Sequence, residues 1–373
     1  MAEGADVTVI GAGVVGLAVA AALAARGRKV YILEKNERYG QETSSRNSQV
    51  IHAGLYYPPG CLKARTCVEG NRLLYELCAR YGVPYRRLGK LVVATEAEEE
   101  PRLEALARNA AENGVTGLRL LTSRQVAELE PRVRARAGLL VPDTGIVDVH
   151  RLMELYVWLA RERGAELVCR TEVVGLEYTG AGYLVWVRDR EGTYPFRSRV
   201  VVNSAGLGAD RVAAMAGLDV DRLGYRLHYC KGHYFSVCPA KSRLVSRLVY
   251  PVPHPQVTGL GIHVTLDLGG RMRLGPDALY VDEPEYGVDE GRRHLFWEGA
   301  RRFLPDLEPE DLSPEMAGVR PKLQGPGQPQ RDFVVRHEAD RGLPGFVNLI
   351  GIESPGLTAS PAIARLVAEM VGQ

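Results

Sequence analysis

Apolar residues recur along this chain with three different periods, and each predicts a different kind of element. Short unbroken runs rich in β-branched residues occupy 7–10, 30–33, 199–203 and 346–350. No polar face interrupts them, the pattern of strands buried on both sides in a parallel sheet. Helical spacing marks 63–81, where Leu73, Leu74, Leu77 and Cys78 share a stripe and Glu69, Arg72, Glu76 and Arg80 lie elsewhere. Gly82 and Pro84 end that helix. Further helices are predicted over 14–25 (small, Ala-rich), 96–113 (charged, closed by Gly114), 148–163 (opened by Asp148 as N-cap) and 358–371, and Thr122 with Gln125 forms a capping-box pattern. Period-two alternation predicts strands at 87–95, 166–169 and 171–175, and a hairpin at 183–196 turning on Arg190-Glu191-Gly192. It also predicts antiparallel strands over 225–237, 244–252, 260–266 and 271–275, with a turn at 267–270. The stretch 284–314 reads as helices burying Leu295, Phe296, Phe303 and Leu304, and 324–330 as a loop.

The glycines between the first buried run and the small-residue helix sharpen this pattern. Gly11, Gly13 and Gly16 have the G-x-G-x-x-G spacing, and Glu34 stands at the tip of the second strand. Gly11 permits the tight turn, Gly13 lets a pyrophosphate approach the backbone, and Gly16 lets helix and sheet pack closely. The helix N-terminus supplies N–H groups and partial positive charge, and Glu34 can accept from a ribose diol. A dinucleotide site follows. A buried strand, glycine turn and helix start recur at 346–358, so the domain is assembled from distant segments, which favours FAD over NAD. The expected fold class is α/β: a discontinuous Rossmann-like FAD-binding domain (1–85, 143–215, 331–373) and a substrate domain with a mostly antiparallel β-sheet (86–142, 216–330).

Composition narrows the function classes. Net charge is +2 from 47 Lys and Arg against 45 Asp and Glu, which gives no basis for nucleic acid as a partner. No run has the length of a membrane span and no signal peptide is read, so the expected location is cytoplasmic, with peripheral contact to the inner face of a membrane still open. The six cysteines contain no Cys-x-x-Cys pair and are expected reduced, and no metal is expected.

The segment 44–70, Ser44-Ser-Arg-Asn-Ser-Gln-Val-Ile-His-Ala-Gly-Leu-Tyr-Tyr-Pro-Pro and onward to Gly70, resembles the L-2-hydroxyglutarate dehydrogenase (oxidase) family within the D-amino-acid oxidase-like FAD proteins. Further matches are Lys231-Gly-His-Tyr-Phe235, Leu248-Val-Tyr-Pro-Val-Pro253, Gly259-Leu-Gly-Ile-His-Val-Thr265, Leu274-Gly-Pro276, Gly318-Val-Arg-Pro-Lys322 and Gly351-Ile-Glu-Ser-Pro-Gly-Leu-Thr358. They cover essentially the whole chain, and their number and order carry the resemblance. It implies FAD held by Gly11, Gly13, Gly16, Glu34, Lys35, Ser44, Ser45, Arg46, Ser48, Val173, Ala205, Gly206, Pro355, Gly356, Leu357 and Thr358. The helix opening near Leu357 suits negative charge on the flavin.

Oxidising a 2-hydroxy acid needs a base, and a neutral histidine fits. His263 ranks first: Gly261, His263 and Thr265 share one face of a strand whose other face is aliphatic. His52 follows the Ser/Asn segment and is the second candidate. A dicarboxylate substrate needs cations, for which Lys231, Arg320 and Lys322 are the candidates, with Tyr250 and His233 as donors. The expected reaction is oxidation of L-2-hydroxyglutarate to 2-oxoglutarate, with electrons passed to a quinone-type acceptor or oxygen. The alternatives are an amine oxidase of the sarcosine or glycine type, a glycerol-3-phosphate dehydrogenase, and a non-catalytic flavin-binding sensor.

Overall fold

A computed structural model describes residues 4–253 and 260–372. Gly259, at the head of one motif above, lies outside them. The chain divides into two compact units, one of 1–45, 149–229 and 320–373, the other of 46–148 and 230–319.

The first unit is built on an eight-stranded sheet whose main path runs Glu172–Tyr178, Tyr183–Arg188, Thr193–Asn203, Ala5–Ile10, Val30–Glu34, Glu166–Cys169. Thr193–Asn203 joins two kinds of pairing. Its first half is antiparallel to Tyr183–Arg188, and its second half runs parallel to Ala5–Ile10 and to Phe346–Ile350. Ala5–Ile10, Val30–Glu34 and Phe346–Ile350 are the unbroken apolar runs, buried along nearly their whole length, whereas the outer parallel strand Glu166–Cys169 is exposed or half-buried. Helices Val14–Ala24, Val149–Arg161 and Gly356–Gly372 pack together beside this sheet. A buried polar chain ties the strand ends. Asn203 Nδ2 donates to Asn348 Oδ1 (2.8 Å), Asn348 Nδ2 to Glu338 Oε1 (2.8 Å), and Tyr225 Oη to the same oxygen (2.9 Å). Each buried polar atom in that chain has its partner, which is what lets it sit in a core.

The second unit carries a nine-stranded sheet with the path Leu279–Val281, His228–Val237, Met272–Leu274, Val264–Leu266, Leu248–Pro251, Lys90–Ala94, Ala137–Val141, Arg119–Thr122. Most of its pairings are antiparallel, but Leu248–Pro251 and Lys90–Ala94 run parallel. The two faces bury different cores. Leu91, Val93, Val264, Leu266 and Phe296 belong to one cluster, and Val92, Ala94, Leu248 and Tyr250 to another with Val50, Ala53 and Leu55. Residues 46–85, placed by sequence with the cofactor domain, pack in this second unit. The reason is physical: the helix Leu62–Tyr81 buries Cys67, Leu74 and Cys78, and Asn71 Nδ2 donates to the carbonyls of His52 and Asp143, both in the same unit. The stretch 284–314 contains one α-helix, Arg293–Arg301, and a strand, Leu312–Lys322, begins before its end.

Candidate active site

In the first unit the glycine turn and the strand ends surround a cavity of about 340 Å³. Gly11, Gly13, Glu34, Lys35, Ser44, Val173, Ala205 and Gly206 all line it. The cradle has no room for side chains. A Cβ on Gly11, whose φ is +98°, would lie 2.4 Å from Ser204 O, and one on Gly16 would lie 2.1 Å from Gly11 O. The helix Val14–Ala24 starts at Gly13 with no acid in its first turn, and Val14 N–H donates to Ser44 Oγ (2.9 Å). Glu34 is buried. One carboxylate oxygen accepts from Ala12 N–H (3.0 Å), the other from Asn36 N–H and Nδ2 (both 2.9 Å). These bonds aim the carboxylate at the cavity, and its remaining lone pairs can meet a diol. Lys35 pairs with Glu42 at 2.8 Å, and Ser45 Oγ donates to Glu42 O.

The second glycine turn opens a second helix start. Gly356–Gly372 begins with Gly356 buried, Leu357 half-buried and Thr358 fully buried, with no acid in its first turn. Pro355 is buried just before it. Near this end Lys322 Nζ pairs with Glu353 (3.0 Å), both buried. Arg320 is half-buried.

In the second unit lie the remaining predicted residues. Arg46 stacks its guanidinium over Tyr286 at 4.5 Å, and its Nε is buried without a hydrogen-bond partner among the described residues. Such an orphaned donor suits a ligand acceptor. Ser48 Oγ shares a 3.0 Å hydrogen bond with Tyr234 Oη. Between them Asn47 Oδ1 accepts from Gln49 N–H (2.8 Å), and Gln49 takes a left-handed φ of +56°, the strained kind of backbone that clusters at functional sites.

His263 is 5% exposed and stacks on Tyr250, ring centroids 3.8 Å apart and planes 23° from parallel. Its Nδ1 lies 2.8 Å from Gly261 O. A carbonyl only accepts, so Nδ1 carries the proton and the neutral ring's lone pair is on Nε2. Burial holds the His52 imidazole well below its ordinary range, with Lys90 and then His263 adding to the effect. On the strand His228–Val237, Lys231 pairs with Glu285. His233 Nδ1 sits 3.0 and 3.1 Å from the two oxygens of Asp277, which Arg292 also holds at 2.6 Å. Burial raises the Asp277 carboxyl, but hydrogen bonds from His233 outweigh it and the net shift is downward. His233 Nε2 is buried without a partner among the described residues.

Three side chains in these clusters escaped the sequence reading: Lys90, Tyr56 and Asp277. Lys90 is 1% exposed, with Nζ 3.9 Å from the Tyr250 ring centroid and 5.1 Å from that of Tyr56. Burial brings its amine down to about 7. The available signal was a lysine in register with Val92 and Ala94 on the core face of an apolar strand. Asp277 directly follows a motif proline in the connection between two strands, and nothing in its local pattern points to His233.

Comparison with known proteins decides the family. The sequence matches the family described as FAD dependent oxidoreductase over residues 6–370. It is 40% identical to the mitochondrial L-2-hydroxyglutarate dehydrogenase of Arabidopsis thaliana, across 98% of this chain and 83% of that one. The chain belongs to the L-2-hydroxyglutarate dehydrogenase family of FAD-dependent oxidoreductases. A bacterial member, from Indibacter alkaliphilus, is 30% identical across 98% of both chains. Among solved structures, the FAD-bound L-alpha-glycerophosphate oxidase of Mycoplasma pneumoniae superposes with a TM-score of 0.89 at 28% identity, covering 100% of this chain and 95% of that one. Glycine oxidase from Geobacillus kaustophilus (TM-score 0.79, 24% identity, 99% and 94% covered) shares the fold. The family's cofactor is FAD, and the glycine cradle, the buried Glu34 and the acid-free helix start fit it. No described helix is long and apolar enough to cross a membrane.

Proposed function

We propose that this flavoenzyme oxidises L-2-hydroxyglutarate to 2-oxoglutarate. The observation that carries this reading is the near full-length likeness to relatives named for that activity, one of them 40% identical. When bound, FAD would supply the two-electron acceptor for the hydride leaving substrate C2. His263 Nε2 takes the proton of the C2 hydroxyl, a role supported by the Nδ1 contact to Gly261 O. His52, kept neutral by burial, is the second candidate for that proton. We assign the substrate's carboxylates to the set Lys231, Arg320, Lys322, Tyr250 and His233. Lys231 and Lys322 each already have a carboxylate partner, so a substrate meets them as members of charged pairs. In this reading the cofactor domain spans 1–85, 143–215 and 331–373 in function. The enzyme works in the cytoplasm and passes electrons to a quinone-type acceptor at the inner face of a membrane or to oxygen.

Anaerobic mixing of the holoenzyme with L-2-hydroxyglutarate tests this. The expected result is loss of the oxidised flavin's visible absorbance. Glycerol 3-phosphate is the second reading, favoured by the likeness to the glycerophosphate oxidase. Bleaching by that compound or by sarcosine, with none by L-2-hydroxyglutarate, overturns the substrate assignment. A spectrum unmoved by all three points to a flavin-binding sensor.

A further inference from the structure

A lysine in an apolar core needs a reason, because transfer of an unpaired ammonium out of water is expensive. Lys90 lies on the sheet face whose core contains Val92, Ala94, Leu248, Tyr250 and Leu55. Among the described residues no carboxylate pairs with it; its contacts are the rings of Tyr250 and Tyr56. Those rings stabilise a cation only weakly against full desolvation. The Tyr250 ring that receives the ammonium at 3.9 Å also stacks on His263 at 3.8 Å, so amine and imidazole share one ring, with the ring between them. It is also the charge that acts most strongly on His52.

We propose that Lys90 is a positioning residue for proton abstraction: its buried ammonium keeps His52 and His263 in the neutral, proton-accepting form. The inference rests on the reading of His263 or His52 as the base. A like charge across one ring disfavours imidazolium, and the low-dielectric surroundings leave that repulsion poorly screened; the charge is present below about pH 7, the range in which an imidazole titrates. The other titratable groups around the pair are consistent with this charge going unopposed. Tyr56 and Tyr250 have their phenols raised by burial, so both are neutral. Tyr234 stands beside Tyr250 with its hydroxyl on Ser48. From the helix Leu62–Tyr81 comes Cys67, its thiol also raised by burial. The same helix carries Lys63, buried one turn before Cys67, and Glu69, half-buried two positions on. Asp143 carries its negative charge towards Arg87, 3.6 Å away.

The test compares the holoenzyme with Lys90→Met and Lys90→Arg. Met is unbranched and neutral, so it preserves the buried volume while removing the charge. Two readouts are followed against pH: the rate of anaerobic flavin reduction by L-2-hydroxyglutarate, and the NMR titration of isotope-labelled histidine rings assigned with His52→Ala and His263→Ala. Lys90→Met should shift the acid limb of the rate, and the titration of at least one of the two rings, upward by about one pH unit. Lys90→Arg should restore both. Ring titrations unmoved in Lys90→Met overturn the proposal. An acid limb that survives in both histidine variants overturns the base assignment instead, and the ring titrations still report on Lys90. A Lys90→Met protein that loses FAD or its fold is read through Lys90→Gln, and failure of that variant to move the rings counts against the proposal equally.

Discussion

Lys90 converts pH into stability. Its amine falls from 10.5 to about 7 on folding, so between those values the unfolded chain binds a proton that the native chain has released. Stability therefore rises with pH across that window and is lowest below it. The full penalty is about 4–5 kcal/mol, a sizeable share of a typical folding free energy. Lys90→Met should be more stable than the parent at pH 7, with the advantage shrinking towards pH 10, as measured by urea unfolding at several pH values. Parallel stability curves would contradict the shift. His52 acts in the same direction over a lower pH window. Its pKa is lowered in the fold, so its contribution is present above about 6.5 and is lost as pH falls through the folded value. His263→Ala should slow anaerobic flavin reduction by about 10²–10⁴-fold while FAD stays bound, and an undiminished rate removes His263 from the role. Alternation put Ile262, Val264 and Leu266 on the core face, where the structure has them, but the strand expected over 260–266 begins only at Val264 and Gly261 takes a φ of +72°, so His263 stands just before the strand. Lys90 was not legible, because its meaning depends on Tyr250 and Tyr56, which reach it only through the sheet and the 50–57 segment.

Elements differ in how much of their role is local. The first glycine turn is almost wholly local: strand, three glycines and helix lie within 30 residues, and the geometry is dictated by what a Cβ would strike. Gly13→Ala would place its Cβ 2.9 Å from Ser44 Oγ, pushing away the side chain that accepts from Val14 N–H. The expected outcome is FAD affinity reduced by about tenfold or more, about 1.4 kcal/mol, read from the flavin-to-protein absorbance ratio after dialysis. A ratio equal to the parent's would show that Ser44 yields at no cost. The strand Leu312–Lys322 shows the converse. Pro314, Gly318 and Pro321 interrupt its pattern, as tolerated in a strand paired on one side only, here by His228–Val237. Gly318 has no freedom of its own, since a Cβ there would lie 2.1 Å from Arg46 O. That contact is 272 positions away in sequence, and no window along the chain contains it.

For the whole molecule, sequence order and compact structure coincide only in part. Alternating α/β pattern and the two glycine turns disclosed a dinucleotide fold built from distant segments, because each segment carries its own period. The boundary at 45/46 could not be read, since 46–85 leaves a cofactor strand yet finds its hydrogen-bond partners at Asp143 and in its own helix. The same discontinuity makes the C-terminal helix indispensable. Gly356–Gly372 packs on Val14–Ala24, and Leu17 and Val19 of one helix and Ile363 and Val367 of the other have no solvent access. Tyr156 Oη and Ser360 Oγ meet at 3.3 Å, and Arg26 donates to Ala368 O. Removing the helix uncovers several such side chains, each worth about 1.5–3 kcal/mol, against a total stability of about 5–15 kcal/mol. A chain ending at Glu353 should therefore fail to fold as a shorter flavoprotein, giving insoluble or FAD-free material. A soluble truncated chain with the parent's visible spectrum would mean that Val14–Ala24 and the glycine cradle hold FAD without the second helix.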